Sequence, residues 1–155
     1  TVTQPTKRER TMSKEPTCKE RIGKEWKEQL EVLDAYRTRP HLFTNGNDEL
    51  PPFHQYGLHF DYVSPGTFSD QEVGYWRYQI SYGGPSSEIR FPDYGLAGYR
   101  GMNCLPVELT AEYWFLAWGD GAKLEVESPE TIAWLRENLS FKSAIDEAHA
   151  NWESE

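Results

Sequence analysis

Two stretches of strict alternation limit what this chain can fold into. In residues 74–82 (GYWRYQISY), Trp76, Tyr78, Ile80 and Tyr82 alternate with Tyr75, Arg77, Gln79 and Ser81. In residues 107–118 (VELTAEYWFLAW), Glu112, Trp114, Leu116 and Trp118 alternate with Ala111, Tyr113, Phe115 and Ala117. Period two puts each set on one side of an extended backbone, whereas a helix would spread it round its circumference. The chain must therefore build a sheet with an aromatic face. The second half of 107–118 is apolar on both sides, which predicts a central strand covered twice.

The other strands follow from the same rule. From Gln55 onward, Tyr56, Leu58, Phe60 and Tyr62 alternate with Gly57, His59, Asp61 and Val63. In 87–91, Ile89 and Phe91 oppose Glu88 and Arg90, after the turn Gly83-Gly84-Pro85-Ser86. Two strands joined by so short a Gly-rich loop predict an antiparallel hairpin. Gly119-Asp120-Gly121 is turn material, and 123–127 reads as a short return strand.

Helices bracket the sheet. Thr17 with Glu20 has capping-box form, and Ile22, Trp26, Leu30 and Leu33 make one stripe, so a helix is predicted over 17–37, before Pro40. Glu20–Lys24, Lys24–Glu28 and Lys27–Glu31 are spaced to pair along its wet face. Ser128-Pro129-Glu130 starts a second helix with Ile132, Trp134, Leu135 and Leu139 on one face, and 141–155 continues helical and acidic. Residues 38–54 and 92–106 read as loops. The fold class is α+β: an antiparallel sheet of four to five strands packed against N- and C-terminal helices. Trp26, Leu30, Trp76, Ile80, Phe115 and Leu116 are the expected core. Residues 1–15 read as a mobile basic arm and 16–155 as a single acidic domain.

Charge is unevenly distributed. Residues 41–155 hold 18 Asp/Glu and 6 Lys/Arg, while 1–40 hold 10 Lys/Arg and 7 Asp/Glu; −12 and +3 give the net −9. Such a domain repels nucleic acid and anionic membranes and favours cationic partners. Two cysteines, Cys18 and Cys104, suit a reducing compartment. With no apolar run of membrane-spanning length, the expectation is a soluble, cytoplasmic protein.

Catalytic and metal patterns are weak. His54, His59 and Asp61 are loosely spaced like ligands, but the chain has no HExxH motif, no cysteine pairing and no second cluster to support a metal site, and ordinary surface histidines are the expected reading. Nothing places a histidine beside Cys104. Glu88 and Glu112 can meet across strands, but Arg77 and Arg90 are placed to neutralise them. No catalytic residue, cofactor or metal is assigned. The sheet side away from the helices should carry Tyr75, Arg77, Gln79, Glu88, Arg90 and Glu112. These, with the acids Glu125, Glu127 and Glu130, are the candidate partner-binding residues.

The segments YGLHFDYVSPGTF (56–68), GYWRYQISYGGPSSEIRF (74–91) and EYWFLAWGDGA (112–122) resemble a set of small phage- and plasmid-encoded proteins of no established function. Residues 92–106 depart from that pattern. The resemblance implies a mobile-element origin and assigns no site residue.

The expected function is non-enzymatic binding of a protein with a basic surface. In its sharper form the chain is an inhibitor of a host defence machine, such as a CRISPR effector or restriction nuclease, occupying a channel meant for phosphate (an anti-CRISPR or anti-restriction protein). A homo-oligomer is left open. One alternative is a small enzyme using the 92–106 loop with nearby His, Asp or Glu. A second is single-stranded nucleic-acid binding on the aromatic sheet face.

Overall fold

The computed structural model describes residues 17–39, 51–83, 85–93, 109–117 and 119–153. The basic arm, all of the 92–106 loop beyond Asp93, Cys104 and Trp118 lie outside them. The order is α1 (Cys18–Thr38), α2 (Phe53–Tyr56), β1 (His59–Val63), β2 (Tyr75–Ser81), β3 (Ser86–Pro92), β4 (Glu112–Ala117), β5 (Asp120–Glu125), α3 (Pro129–Asn138) and α4 (Phe141–Glu153). The strands form one antiparallel sheet in the order β1-β2-β3-β4-β5. The fold is α+β, with helices from both ends of the chain packed on the sheet.

Register sorts the side chains. One cross-strand row runs Phe60, Tyr78, Ile89, Tyr113, Leu124, and the next runs Tyr62, Trp76, Phe91. These rows face the helices, and Trp76, Ile89 and Phe91 have no exposed surface. Burying such a side chain is worth about 1.5–3 kcal/mol. Phe141, at the start of α4, sets its ring 4.9 Å from Phe60, 5.1 Å from Phe91 and 5.4 Å from Trp76. Tilted and edge-to-face contacts of this kind avoid stacking like quadrupole faces. α1 lies over β4 and β5, with the Trp26 ring 4.9 Å from Tyr113.

The helix ends are built as the sequence implies. Thr17 Oγ1 accepts from the Glu20 N–H at 3.2 Å and the Thr17 N–H donates to Glu20 Oε1 at 3.2 Å, a reciprocal capping box. Asp120, distant in sequence, adds to it: Oδ2 accepts from the Cys18 N–H at 2.8 Å. These hydrogen bonds, from Cys18 and then Gly121, hold the Asp120 carboxyl below its ordinary value. Ser128 Oγ accepts from the Thr131 N–H at 3.3 Å, with Pro129 opening α3. Thr131 donates to Asp34 of α1 at 3.3 Å, joining the two helices.

Several expectations are corrected. Residues 53–56, assigned to a loop and the start of a strand, form the short helix α2, because Pro51-Pro52 presets the entry and Phe53 is drawn inward. The Phe53 ring sits 4.5 Å from Trp134, 5.3 Å from Tyr36 and 6.0 Å from Tyr78, wedged between α1, α3 and the sheet. β1 therefore starts at His59, and Leu58, expected inward, is 60% exposed. β5 begins at Asp120, inside the expected turn, and a break at Leu139-Ser140 separates α3 from α4. In the expected core, Trp76, Ile80 and Phe115 are buried, while Trp26, Leu30 and Leu116 are half-buried. On α1 the ion pairs that form among the described residues are Arg21–Glu25, at 3.6 Å, and Asp34–Arg37, at 3.4 Å, and none of the three expected pairs closes. No helix among the described residues is long and apolar enough to cross a membrane.

Candidate binding cleft

Among the described residues, no helix packs on the second sheet face. Its floor is set by register: one row reads Asp61, Arg77, Arg90, Glu112, Glu125, and the neighbouring row reads His59, Gln79, Glu88, Trp114, Lys123. Residues 64–74, between β1 and β2, fold back over one end. Floor and loop enclose an open cleft of about 650 Å³.

Gln71 organises the loop. Its Nε2 donates to the carbonyls of Ser64 and Val73, each at 3.0 Å, and its Oε1 accepts from the Phe68 N–H at 3.0 Å. Gly66 at φ +80° and Asp70 at φ +60° turn the chain in the left-handed region, where Gly and Asp are tolerated best. The loop thereby presents Phe68 to solvent, 52% exposed. Tyr82, beyond the end of β2, is 78% exposed on the same cleft. Phe68, Tyr82 and Leu58 are the exposed large hydrophobic residues among those described, and two of the three line this cleft.

The floor charges are paired. Arg77 makes a two-pronged bond to Asp61, at 3.0 and 2.7 Å, and these bonds raise the Arg77 guanidinium pKa further. His59 Nε2 stands 3.7 Å from Asp61, and His54 contacts Gln55 instead. Arg90 pairs with Glu88 at 2.5 Å and stacks 3.8 Å above the Trp114 ring and 4.6 Å above the Tyr75 ring. Glu112 accepts from Trp114 Nε1 at 3.1 Å and faces Lys123 Nζ at 3.5 Å. Arg77 thus serves Asp61 and leaves Glu112 to Trp114 and Lys123. Among described residues, Asp70 and Glu72 on the loop and Glu125 and Glu127 at the β5 end are in no ion pair.

The cleft brings together Tyr75, Arg77, Gln79, Glu88, Arg90 and Glu112. Glu125 continues the floor row at the sheet edge, and Glu127 and Glu130 lie beyond it, exposed. Two of these residues are far less accessible than an open sheet face suggests. Tyr75 is 6% exposed and Glu88 3%, with the Arg90 guanidinium over the Tyr75 ring and paired to Glu88. Burial pushes the Tyr75 hydroxyl pKa upward against the pull of Arg90. The Tyr75 hydroxyl is itself buried, with no hydrogen-bond partner among the described residues.

Sequence reasoning missed Phe68, Asp70, Gln71, Glu72, Tyr82 and Lys123 as part of this site. Trp114 and Leu116 were legible from their alternation with Glu112, but they line the cleft instead of packing under a second layer. Comparison with protein-family models, curated proteins and solved structures gives no match, so the likeness to phage- and plasmid-encoded proteins gains no support there.

Proposed function

We propose that this is a non-enzymatic protein-binding domain whose open sheet face receives a basic surface of its partner. The observation that carries the reading is the position of Phe68 and Tyr82: exposed aromatic rings, costly to leave in water, stand on the rim of a cleft with a mixed aromatic and charged floor. Aromatic and arginine residues in such a setting are the usual anchors of protein interfaces. The partner's sign follows from the net charge of −9 and from the unpaired acids Asp70, Glu72, Glu125 and Glu127. The floor carboxylates are held by arginine, lysine or tryptophan, which favours recognition by shape and rim contacts over imitation of a bare phosphate array.

The test is photo-crosslinking in cell extract, with a crosslinking amino acid in place of Phe68, Tyr82 or Leu58. Leu58, with an exposure between those of Phe68 and Tyr82, lies outside the cleft. A common covalent adduct from positions 68 and 82, absent from 58 and reduced by salt, is expected. Equal adducts from all three positions, or none from 68 and 82, would overturn the reading.

A further inference from the structure

Resting on the reading of the open face as a binding cleft, we infer that its occupant is an extended peptide segment bearing arginine or lysine. The cation is held by Asp70 and Glu72, and a carbonyl of the segment accepts from the Tyr75 hydroxyl. Four observations converge. First, each cationic group of the floor is already engaged: Arg77 by Asp61, Arg90 by Glu88 and two rings, Lys123 by Glu112. Among the described residues, the charges left over in the cleft are Asp70 and Glu72, both exposed and acceptor-only. Second, Phe68 and Tyr82 share that cleft and offer ring faces and apolar surface to a cationic side chain and its methylene stem.

Third, Tyr75 lines the cleft, is 6% exposed, and holds a hydroxyl with no partner among the described residues. A buried hydroxyl without a hydrogen bond weakens the free fold, and a ligand acceptor that displaces the side chains covering it would satisfy it. The Arg90 guanidinium beside the ring favours electron-rich atoms there, so the hydroxyl is best used as a donor to a carbonyl oxygen. Fourth, a volume near 650 Å³ takes a few side chains and the backbone between them.

The experiment titrates isotope-labelled protein with three capped pentapeptides, Ala-Leu-X-Leu-Ala, where X is arginine, citrulline or glutamate, following backbone amide shifts by NMR. Citrulline keeps the shape of arginine and removes its charge. The arginine peptide is expected to shift amides of 68–75 and 112–116 saturably. The citrulline peptide should bind roughly fivefold more weakly or less, as loss of a charge-assisted contact implies. The glutamate peptide should not saturate. The double variant Asp70→Asn/Glu72→Gln should abolish the preference, and Asn tolerates the positive φ at position 70. Tyr75→Phe carries a double signature: it removes an unsatisfied buried hydroxyl, so the free protein should melt at a higher temperature, while arginine-peptide affinity falls by roughly threefold or more. If citrulline and glutamate peptides shift the same amides with equal affinity, the cleft stands and the cationic occupant is overturned. If no peptide shifts cleft amides, the cleft reading falls with it. If Tyr75→Phe leaves both melting and affinity unchanged, the hydroxyl has no ligand role.

Discussion

Gly74 shows how little room single residues leave. A Cβ built there overlaps the Tyr62 hydroxyl, which donates to Asp93 at 2.8 Å, while the Asp93 N–H donates to the Gly74 carbonyl at 2.8 Å. Asp93 has no exposed surface, so displacing Tyr62 disturbs a buried carboxylate. Gly74→Ala should cost about 1–3 kcal/mol by overpacking, read from urea unfolding. A neutral result would mean the loop shifts freely at its hinge. Tyrosines supply a second prediction. Burial pushes Tyr36 and Tyr113 from the ordinary 10 up to about 12. A folded value raised above the unfolded one favours the neutral phenol in the fold. The contribution is therefore complete below pH 10 and lost as pH rises through about 12. Melting temperature should fall steeply across that window, with tyrosinate absorbance rising as the fold opens. Full ionisation near pH 10 with the fold intact would contradict this.

At the scale of elements, the wedges matter more than helix propensity. α2 is too short to be stable alone, and it persists because Phe53 fills the gap between Tyr36, Trp134 and Tyr78. Phe141 similarly pins the start of α4 to Phe60, Trp76 and Phe91. Phe141→Ala should destabilise by about 3–5 kcal/mol, the range for emptying a buried aromatic site, and loosen α4 first by hydrogen exchange. A loss confined to a few tenths would show that α4 is held elsewhere. These contacts mark where the sequence stops being legible. Helix α1, with its capping box and stripe, and the inward set of Trp76, Tyr78, Ile89 and Phe91 follow from periodicity alone. The charged set Arg77, Glu88, Arg90 and Glu112 shares the open face for the same reason. Pairing partners depend on register, so Asp61 with Arg77 and Lys123 with Glu112 were not readable. The loop's shape depends on Gln71 folding back on Ser64 and Val73, and nothing local announces that Tyr75 will be buried. Leu58 departs from its alternation because α2 captures the preceding residues.

Over the whole molecule, two layers divide the labour: helices bury one sheet face, and the other keeps a cleft rimmed by exposed rings on an acidic body. Association with a basic partner should slow as salt rises, since charges are screened over about 8–10 Å at physiological ionic strength. Reversing Glu125, Glu127 and Glu130 to Lys together should slow association further and leave the fold intact, with a small drop in melting temperature from Glu130, which accepts from Ser128 Oγ at 3.3 Å in the first turn of α3. Salt-independent rates, unaltered by those reversals, would assign binding to apolar contact alone. The most direct measurement of the central claim is hydrogen exchange on the protein, free and bound to the partner captured through position 68. Binding through the open face predicts added protection in 64–74 and around 112–116, with the outer surfaces of α1, α3 and α4 unchanged. Added protection confined to those helices, with the 64–74 loop exchanging as before, would contradict it.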